Sequence, residues 1–195
     1  FVAYNKDLNF PKFLNSKMNA KIERVNNDTY LKVFQNNLFP SPVMPSNKNL
    51  MNTELNYIFD HEDYDFSTGF NIYENLGVKH NDRYQYVLPR YNYNKNLTIS
   101  EIDGSFSFSS SGSNYLRDTN SLKSSITNNL SYSTPDYFTN SGFKNNMNLY
   151  FKNLNSVGKK DQSYGSSPSI KGMGLFEISS SLPLVKNNDL SKEIL

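Results

Sequence analysis

Residues 121–132 read SLKSSITNNLSY. Leu122, Ile126, Leu130 and Tyr132 fall on one side of a two-residue alternation, interrupted by Ser124 and Asn128. Lys123, Ser125, Thr127, Asn129 and Ser131 fall on the other side. This is the period of a β-strand with one apolar and one polar face. The same pattern recurs along the chain, and it admits few folds.

Segment 15–25 sets Met18, Ala20 and Ile22 against Lys17, Asn19, Lys21 and Glu23. Segment 50–59 sets Met51, Leu55, Tyr57 and Phe59 against Asn52, Glu54 and Asn56, and segment 64–73 sets Tyr64, Phe66, Phe70 and Ile72 against Asp65, Ser67, Gly69 and Asn71. Segment 84–93 is aromatic at both ends. Segment 97–110 opposes Ile102, Phe106 and Phe108 to Glu101, Asp103, Ser105 and Ser107. After the opening stretch come 142–153, with Phe143, Met147, Leu149 and Phe151 in phase, and 167–182, with Ile170, Phe176, Ile178 and Leu182 in phase. Together these predict about eight strands.

Strand length separates the candidate architectures. The segments run to about 10–12 residues, against about 5–6 in ordinary soluble strands. At about 3.3 Å per residue each extends some 35 Å. Tilted by about 40°, such a strand crosses the apolar band, about 25 Å tall, of an outer-membrane barrel. The connections point the same way: 26–49, 74–83, 111–120 and 154–166 read as long, 60–63 and 94–96 as short, and 133–141 as intermediate. Near-alternation of long and short connections is the habit of a membrane barrel, and none except 26–49 has room for a crossover helix. The expected fold is therefore all-β, an antiparallel up-and-down transmembrane β-barrel contributing about eight long strands to a larger barrel. Tyr57, Phe59, Tyr64, Tyr73, Tyr91, Tyr93, Tyr132, Phe143 and Phe151 lie near strand ends, where interfacial aromatic girdles form.

Composition removes other classes. Hydrophobic residues make up 36% of the chain, low for a soluble domain, yet 14 Tyr and 14 Phe are too many for a disordered one. A net charge of +2 does not suggest nucleic acid as a partner. With no Cys there is no disulfide, zinc-thiolate or thiol chemistry. No apolar run is long enough for a transmembrane helix, and no signal peptide is visible. FVAY opens and KEIL closes the chain in mid-pattern, which reads as an interior piece of a longer protein.

Chemistry finds little support. His61 sits in DHEDYD, a turn where acids are simply solvated, and His80 sits in the loop GVKHNDRY. Neither has a nucleophile context, and no metal or cofactor is expected. Glu101 and Asp103 read as polar lumen residues rather than a carboxylate pair. Gly172 and Gly174 read as strand glycines rather than a phosphate loop. The sequons at Asn27, Asn96 and Asn129 are expected by chance in so Asn-rich a chain. We assign Glu54, Glu101, Asp103, Lys123, Thr127, Asn129, Lys144 and Lys152 to the lumen face. Phe66, Phe70, Phe106, Phe108, Leu122, Ile126, Leu130, Met147 and Leu149 are assigned to the lipid face.

Four phrases in order, NNDTYLKVF (26–34), RYQYVLPRYNYN (83–94), SFSFSSSG (105–112) and GFKNNMNLYFKNLN (142–155), resemble the barrel domain of the LptD family of lipopolysaccharide-assembly outer-membrane proteins, also called organic solvent tolerance proteins, in its alphaproteobacterial form. The resemblance implies one outer-membrane barrel domain over 1–195, preceded elsewhere by a periplasmic jellyroll. It implies lipopolysaccharide transport without chemistry. It also implies an LptE-type lipoprotein plug, a periplasmic Lpt bridge and outer-membrane lipids as partners. The gate strands of that family would lie outside this stretch, and the missing Cys departs from members whose domains are joined by disulfides. The rival readings are an extracellular β-rich adhesin or structural protein and, less favoured, another porin or a barrel hydrolase.

Overall fold

The computed structural model describes residues 1–34, 41–78, 83–97, 103–117, 120–183, 185–188 and 191–194. The described strands are β1 (Val2–Asp7), β2 (Asn15–Ile22), β3 (Leu50–Asp60), β4 (Tyr64–Asn75), β5 (Tyr84–Leu97), β6 (Ser105–Arg117), β7 (Ser121–Ser133), β8 (Tyr137–Phe138), β9 (Lys144–Lys159), β10 (Ser169–Ser181), β11 (Val185–Asn188) and β12 (Ser191–Ile194). A single short helix, α1 (Tyr30–Phe34), is seen among the described residues. Strands β1 to β10 form one antiparallel up-and-down sheet in the order β1-β2-β3-β4-β5-β6-β7-β9-β10, with the two-residue β8 pairing β9; β11 and β12 pair separately. The sheet is open, with β1 and β10 at its edges.

Seven of the eight segments read from the alternation each fall on one strand, with β3 and β4 nearly to the residue; the eighth, 97–110, straddles the β5–β6 connection, with only 105–110 in β6 and Ile102 outside the described residues. Several boundaries differ. The connection expected at 94–96 is wholly strand, and those at 111–120 and 154–166 are partly strand: β5 continues to Leu97, β6 to Arg117 and β9 to Lys159. Near-alternation of long and short connections therefore fails. The end carrying the long 23–49 connection also carries the three-residue 118–120, and the opposite end carries both 61–63 and the ten-residue 134–143. The misread stretches are rich in Ser, Asn and Gly, residues that favour turns in isolation. Here their backbones pair on both sides, 111–117 of β6 with β5 and β7 alike. Gly112 is in the strand because the Tyr91 ring lies where a Cβ would stand, an aromatic covering a strand glycine.

One irregularity sets the phase of the sheet. Gly69 pairs Arg90 and Asn71 pairs Val87, so Leu88 and Pro89 together oppose a single residue of β4; on the other side Val87 pairs Tyr115 and Arg90 pairs Ser113. This is a β-bulge, placed where Pro has no N–H to give a ladder. It turns the alternation by one step, so Tyr84 and Tyr86 before it share a face with Tyr91 and Tyr93 after it.

Among the described residues there is no conventional core. A folded chain of this mass exposes about 9,400 Å², whereas this one exposes 14,072 Å². The excess is the two uncovered faces of a single layer. The one buried apolar cluster among the described residues is small: Leu31, Met51 and Leu76, with Val25 packed against it. It forms where residues 25–31 fold back over the ends of β3 and β4. Asn27 nucleates that turn, its Oδ1 accepting the Thr29 N–H at 3.0 Å; α1 follows, with the Tyr30 and Phe34 rings 5.1 Å apart one turn on.

Candidate functional site

Residues directly opposed in an antiparallel ladder share a face, and alternate residues point oppositely. The registers of the sheet therefore sort every strand residue. Phe66, Phe70, Phe106, Phe108, Leu122, Ile126, Leu130, Met147 and Leu149 all lie on one face, with Met18, Leu55, Tyr57, Phe59, Tyr93, Phe151 and Phe176. Glu54, Lys123, Thr127, Asn129, Lys144 and Lys152 all lie on the other. Asp103 belongs to neither: it precedes β6 in a connection, turned by Gly104 at φ +132°, and its carbonyl accepts the Tyr132 hydroxyl at 2.8 Å. Glu101 and His80 lie outside the described residues. Four of the aromatics expected in girdles are also displaced, Tyr91 and Phe151 standing mid-strand in β5 and β9. Tyr73 pairs Asn52 and Gln85 on the polar face, and Phe143 lies just before β9. The polar face is not uniform, since Ile58, Tyr150, Leu154 and Leu175 lie on it.

The apolar face carries a belt of rings near one end. Phe59 packs against Phe66, Tyr57, Phe10 and Phe13 at centroid distances of 6.2, 6.4, 6.1 and 5.2 Å. The belt continues through Tyr64 and Tyr93 (5.7 Å), Tyr93 and Phe108 (6.2 Å), then Phe106 and Tyr132 (4.3 Å), and reaches Leu149 and Phe176 by register. The belt does not follow a hydrogen-bonded row. The row through Phe66 reaches β9 at Asn153 by way of Tyr93, Ser110 and Asn128, four residues from Leu149. A drop of four residues, about 13 Å, over four strand spacings, about 19 Å, corresponds to strands tilted by about 35° from the normal to the belt.

Above the belt that same row is polar. Tyr91 and Ser110 hydroxyls lie 3.1 Å apart, Ser110 donates to Asn128 Oδ1 at 2.8 Å, and Asn128 Nδ2 donates to Asn153 Oδ1 at 3.1 Å. Asn155 Nδ2 also donates to Asn153 Oδ1 (2.7 Å), and Asn153 Nδ2 donates to the Lys171 carbonyl (3.3 Å). Asn128 and Asn153 find their partners across the sheet and Asn155 two residues along its own strand, which lowers the cost of holding them away from water. Asn153→Ala removes the acceptor of two amides at once. It is expected to cost about 1–3 kcal/mol, and a double-mutant cycle with Asn128→Ala measured by urea unfolding should return a coupling of about 0.5 kcal/mol or more. Additive losses would show that the ladder does not act as a unit.

The polar face is a lattice of cross-strand hydrogen bonds. Asn71 Nδ2 reaches Asn52 Oδ1 (3.1 Å) and Glu54 Oε2 (2.9 Å), Arg90 reaches Asn56 Oδ1 (2.6 Å), Asn129 reaches Ser109 Oγ (3.0 Å), and Ser133 reaches Asn148 Oδ1 (2.7 Å). Lys144 pairs Asp136 at 2.8 Å and holds its carboxyl below the usual range, mainly through that bond. Such a surface is suited to water and hydroxylated solutes. His61 is held in its turn by the Tyr64 ring, 4.6 Å away, with Nδ1 accepting the Asp63 N–H. No group of three metal-ligating side chains is found among the described residues.

At the far end of the strands a rim cluster joins two of the singled-out phrases. Arg83, 7% exposed, grips Asp28 bidentately (3.0 and 2.6 Å), and its Nε sits 2.7 Å from Glu74, an ion pair without hydrogen-bond alignment. Tyr84 donates to Glu74 at 2.9 Å. The Asp28 hydrogen bonds, helped by Glu74 and opposed by burial, raise the Arg83 pKa, so the guanidinium stays charged. Sequence reasoning did not find this cluster, nor the Asn128–Asn153 ladder; the latter left a trace, as polar residues in the apolar phase at Ser124 and Asn128. No family model matches the chain, and none of the curated proteins matches it.

Proposed function

We propose that this chain forms part of the wall of an outer-membrane β-barrel that moves lipopolysaccharide to the outer leaflet, without a chemical step. The observation that carries the membrane reading is a single uncovered sheet whose apolar face bears a ring belt, with the strands tilted by about 35° from the normal to that belt, within the range of outer-membrane barrel strands. A belt set on that slant is level when the strands are tilted as in a membrane. A soluble sandwich or adhesin needs a second layer over the apolar face, and among the described residues no layer covers it.

The polar face then lines a wet lumen fit for a sugar head group, while acyl chains stay on the outer side. The lipopolysaccharide cargo rests on the four phrases, two of which meet at Asp28 and Arg83. An LptE-type lipoprotein inside the lumen and a periplasmic Lpt bridge follow as partners on the same reading.

A photo-crosslinking amino acid at Asn129 or Lys152, against Leu130 or Leu149, tests it in cells. Lipopolysaccharide adducts are expected from the first pair and phospholipid adducts from the second. Assembled protein giving no lipopolysaccharide adduct from either polar-face position would reject the cargo.

A further inference from the structure

Strand β10 lies at one edge of the sheet, and the strands that follow it, β11 and β12, pair with each other and not with its outer side. Residues 169–179 of β10 read SIKGMGLFEIS. Lys171, Met173, Leu175 and Glu177 lie on the polar face, and Ile170, Gly172, Gly174, Phe176 and Ile178 on the apolar face. Met173 and Leu175 are apolar side chains on a polar face, 62% and 55% exposed. Neither the Lys171 ammonium nor the Glu177 carboxylate has a partner among the described residues. Six residues apart, about 20 Å, they cannot meet within one strand. The two glycines are equally unanswered by the chain itself. Neither has a positive φ, and a Cβ at Gly172 or Gly174 would meet only the Phe151 ring or the Tyr150 carbonyl, at 3.9 Å. A glycine inside a strand weakens it, and its usual reason is the close approach of another group.

The same strand turned end for end answers all of these features. In an antiparallel pair centred on Gly174, opposed residues share a face throughout. Lys171 then opposes Glu177 of the second copy and Glu177 opposes its Lys171, which makes two ion pairs. Met173 opposes Leu175 and Leu175 opposes Met173, a cluster of four apolar side chains on the polar face, flanked by the Tyr150 that Leu175 pairs within its own sheet. On the apolar face Ile170 opposes Ile178, and Phe176 opposes Gly172, an aromatic over a strand glycine as Tyr91 stands over Gly112. Gly174 meets its own copy on the axis. Slipping the register by two residues either way keeps the faces but sets Lys171 against Leu175 or Ser179, and both ion pairs are lost.

We propose that β10 pairs antiparallel with β10 of a second copy of this chain, about a two-fold axis through Gly174. The contact is isologous, the same strand on both sides. Its axis is normal to the sheet, so the ring belts of the two copies lie at opposite ends. The pair is therefore a form of the chain outside the membrane, and entry into one wall requires it to part. What that wall carries does not enter. The full chain folded in detergent micelles serves for the test. Gly174→Cys puts a single thiol into a chain that has none, at a position with room for a side chain. Mild oxidation is expected to convert most of that protein to a disulfide dimer. Gly172→Cys is expected to give almost none, since it faces Phe176 and its own copy stands four residues along, about 13 Å away. Lys171→Glu sets like charges opposite one another and should raise the dimer dissociation constant about ten-fold by sedimentation equilibrium. Adding Glu177→Lys to it should restore the parent value. Folded Gly174→Cys protein that stays monomeric, Gly172→Cys cross-linking as readily, or a double variant no tighter than Lys171→Glu alone would each overturn the proposal.

Discussion

Arginine at Ile126 is expected to stop most of the protein from assembling into the outer membrane, while arginine at Thr127, one residue on, is expected to be tolerated. Ile126 shares its face with Leu122, Leu130 and Phe106, and Thr127 shares the other with Lys123 and Asn129. Tyr132, in the ring belt, lies six residues along β7 from Ile126. At about 3.3 Å per residue and a tilt near 35°, Ile126 stands about 16 Å above the belt, close to the middle of an apolar band some 25 Å tall. A lipid-facing Arg near the midplane costs about 2–4 kcal/mol. Neighbouring Asn155 can receive part of the charge, so the lower half of that range is expected. At Thr127 the guanidinium meets water and the cost should stay within about 0.5 kcal/mol. The fraction of heat-modifiable, folded protein in the membrane reads both. Equal tolerance at the two positions would sink the barrel reading, because no other feature of β7 distinguishes them so sharply.

Arg83→Met is expected to be the most damaging single change at the rim. It leaves Glu74, 13% exposed, buried beside Tyr84 with no cation, and releases Asp28 from its two hydrogen bonds. Removing one partner of a buried pair costs about 3–5 kcal/mol; Asp28 is half-exposed, which places the loss near the lower value. The damage should be local first. Residues 25–31 are tied to the sheet by this grip and by the Leu31–Met51–Leu76 cluster, so limited proteolysis should cut within 23–34 in the variant and spare that stretch in the parent. Arg83→Lys keeps the charge but loses the fork, and should be intermediate. A variant that unfolds in urea as the parent does and resists cleavage would show that the grip is ornamental.

The faces were legible in the sequence because a face is a local property. Period two holds within a strand whatever its neighbours are, so Ile126 and Thr127 separate before any pairing is known. The DHED turn was legible too, since a short polar break between two clean alternations leaves one solution. What escaped was decided by partners distant in the chain. SSSGSN looks like a loop until β5 and β7 take its hydrogen bonds and Tyr91 covers Gly112. Asp28 and Arg83 are 55 residues apart, and neither has a distinctive local context. Connection lengths, a weaker guide than alternation, misled for the same reason: strands ended where their partners ended, as β9 does at Lys159 beyond Val157 opposite Ser124.

The extra residue at Leu88–Pro89 makes β5 two half-strands joined out of step, in the way a stacking fault joins two good pieces of crystal. On either side the order is intact, and the mismatch is confined to one site where both neighbouring strands yield to it. The fault has a direction. Deleting Leu88 or Pro89 would heal the ladder and turn Tyr84 and Tyr86 through the wall, or carry Tyr91 and Tyr93 through instead. The strand is thus more regular with one residue fewer, and only wrong. Its imperfection holds four tyrosines on one side.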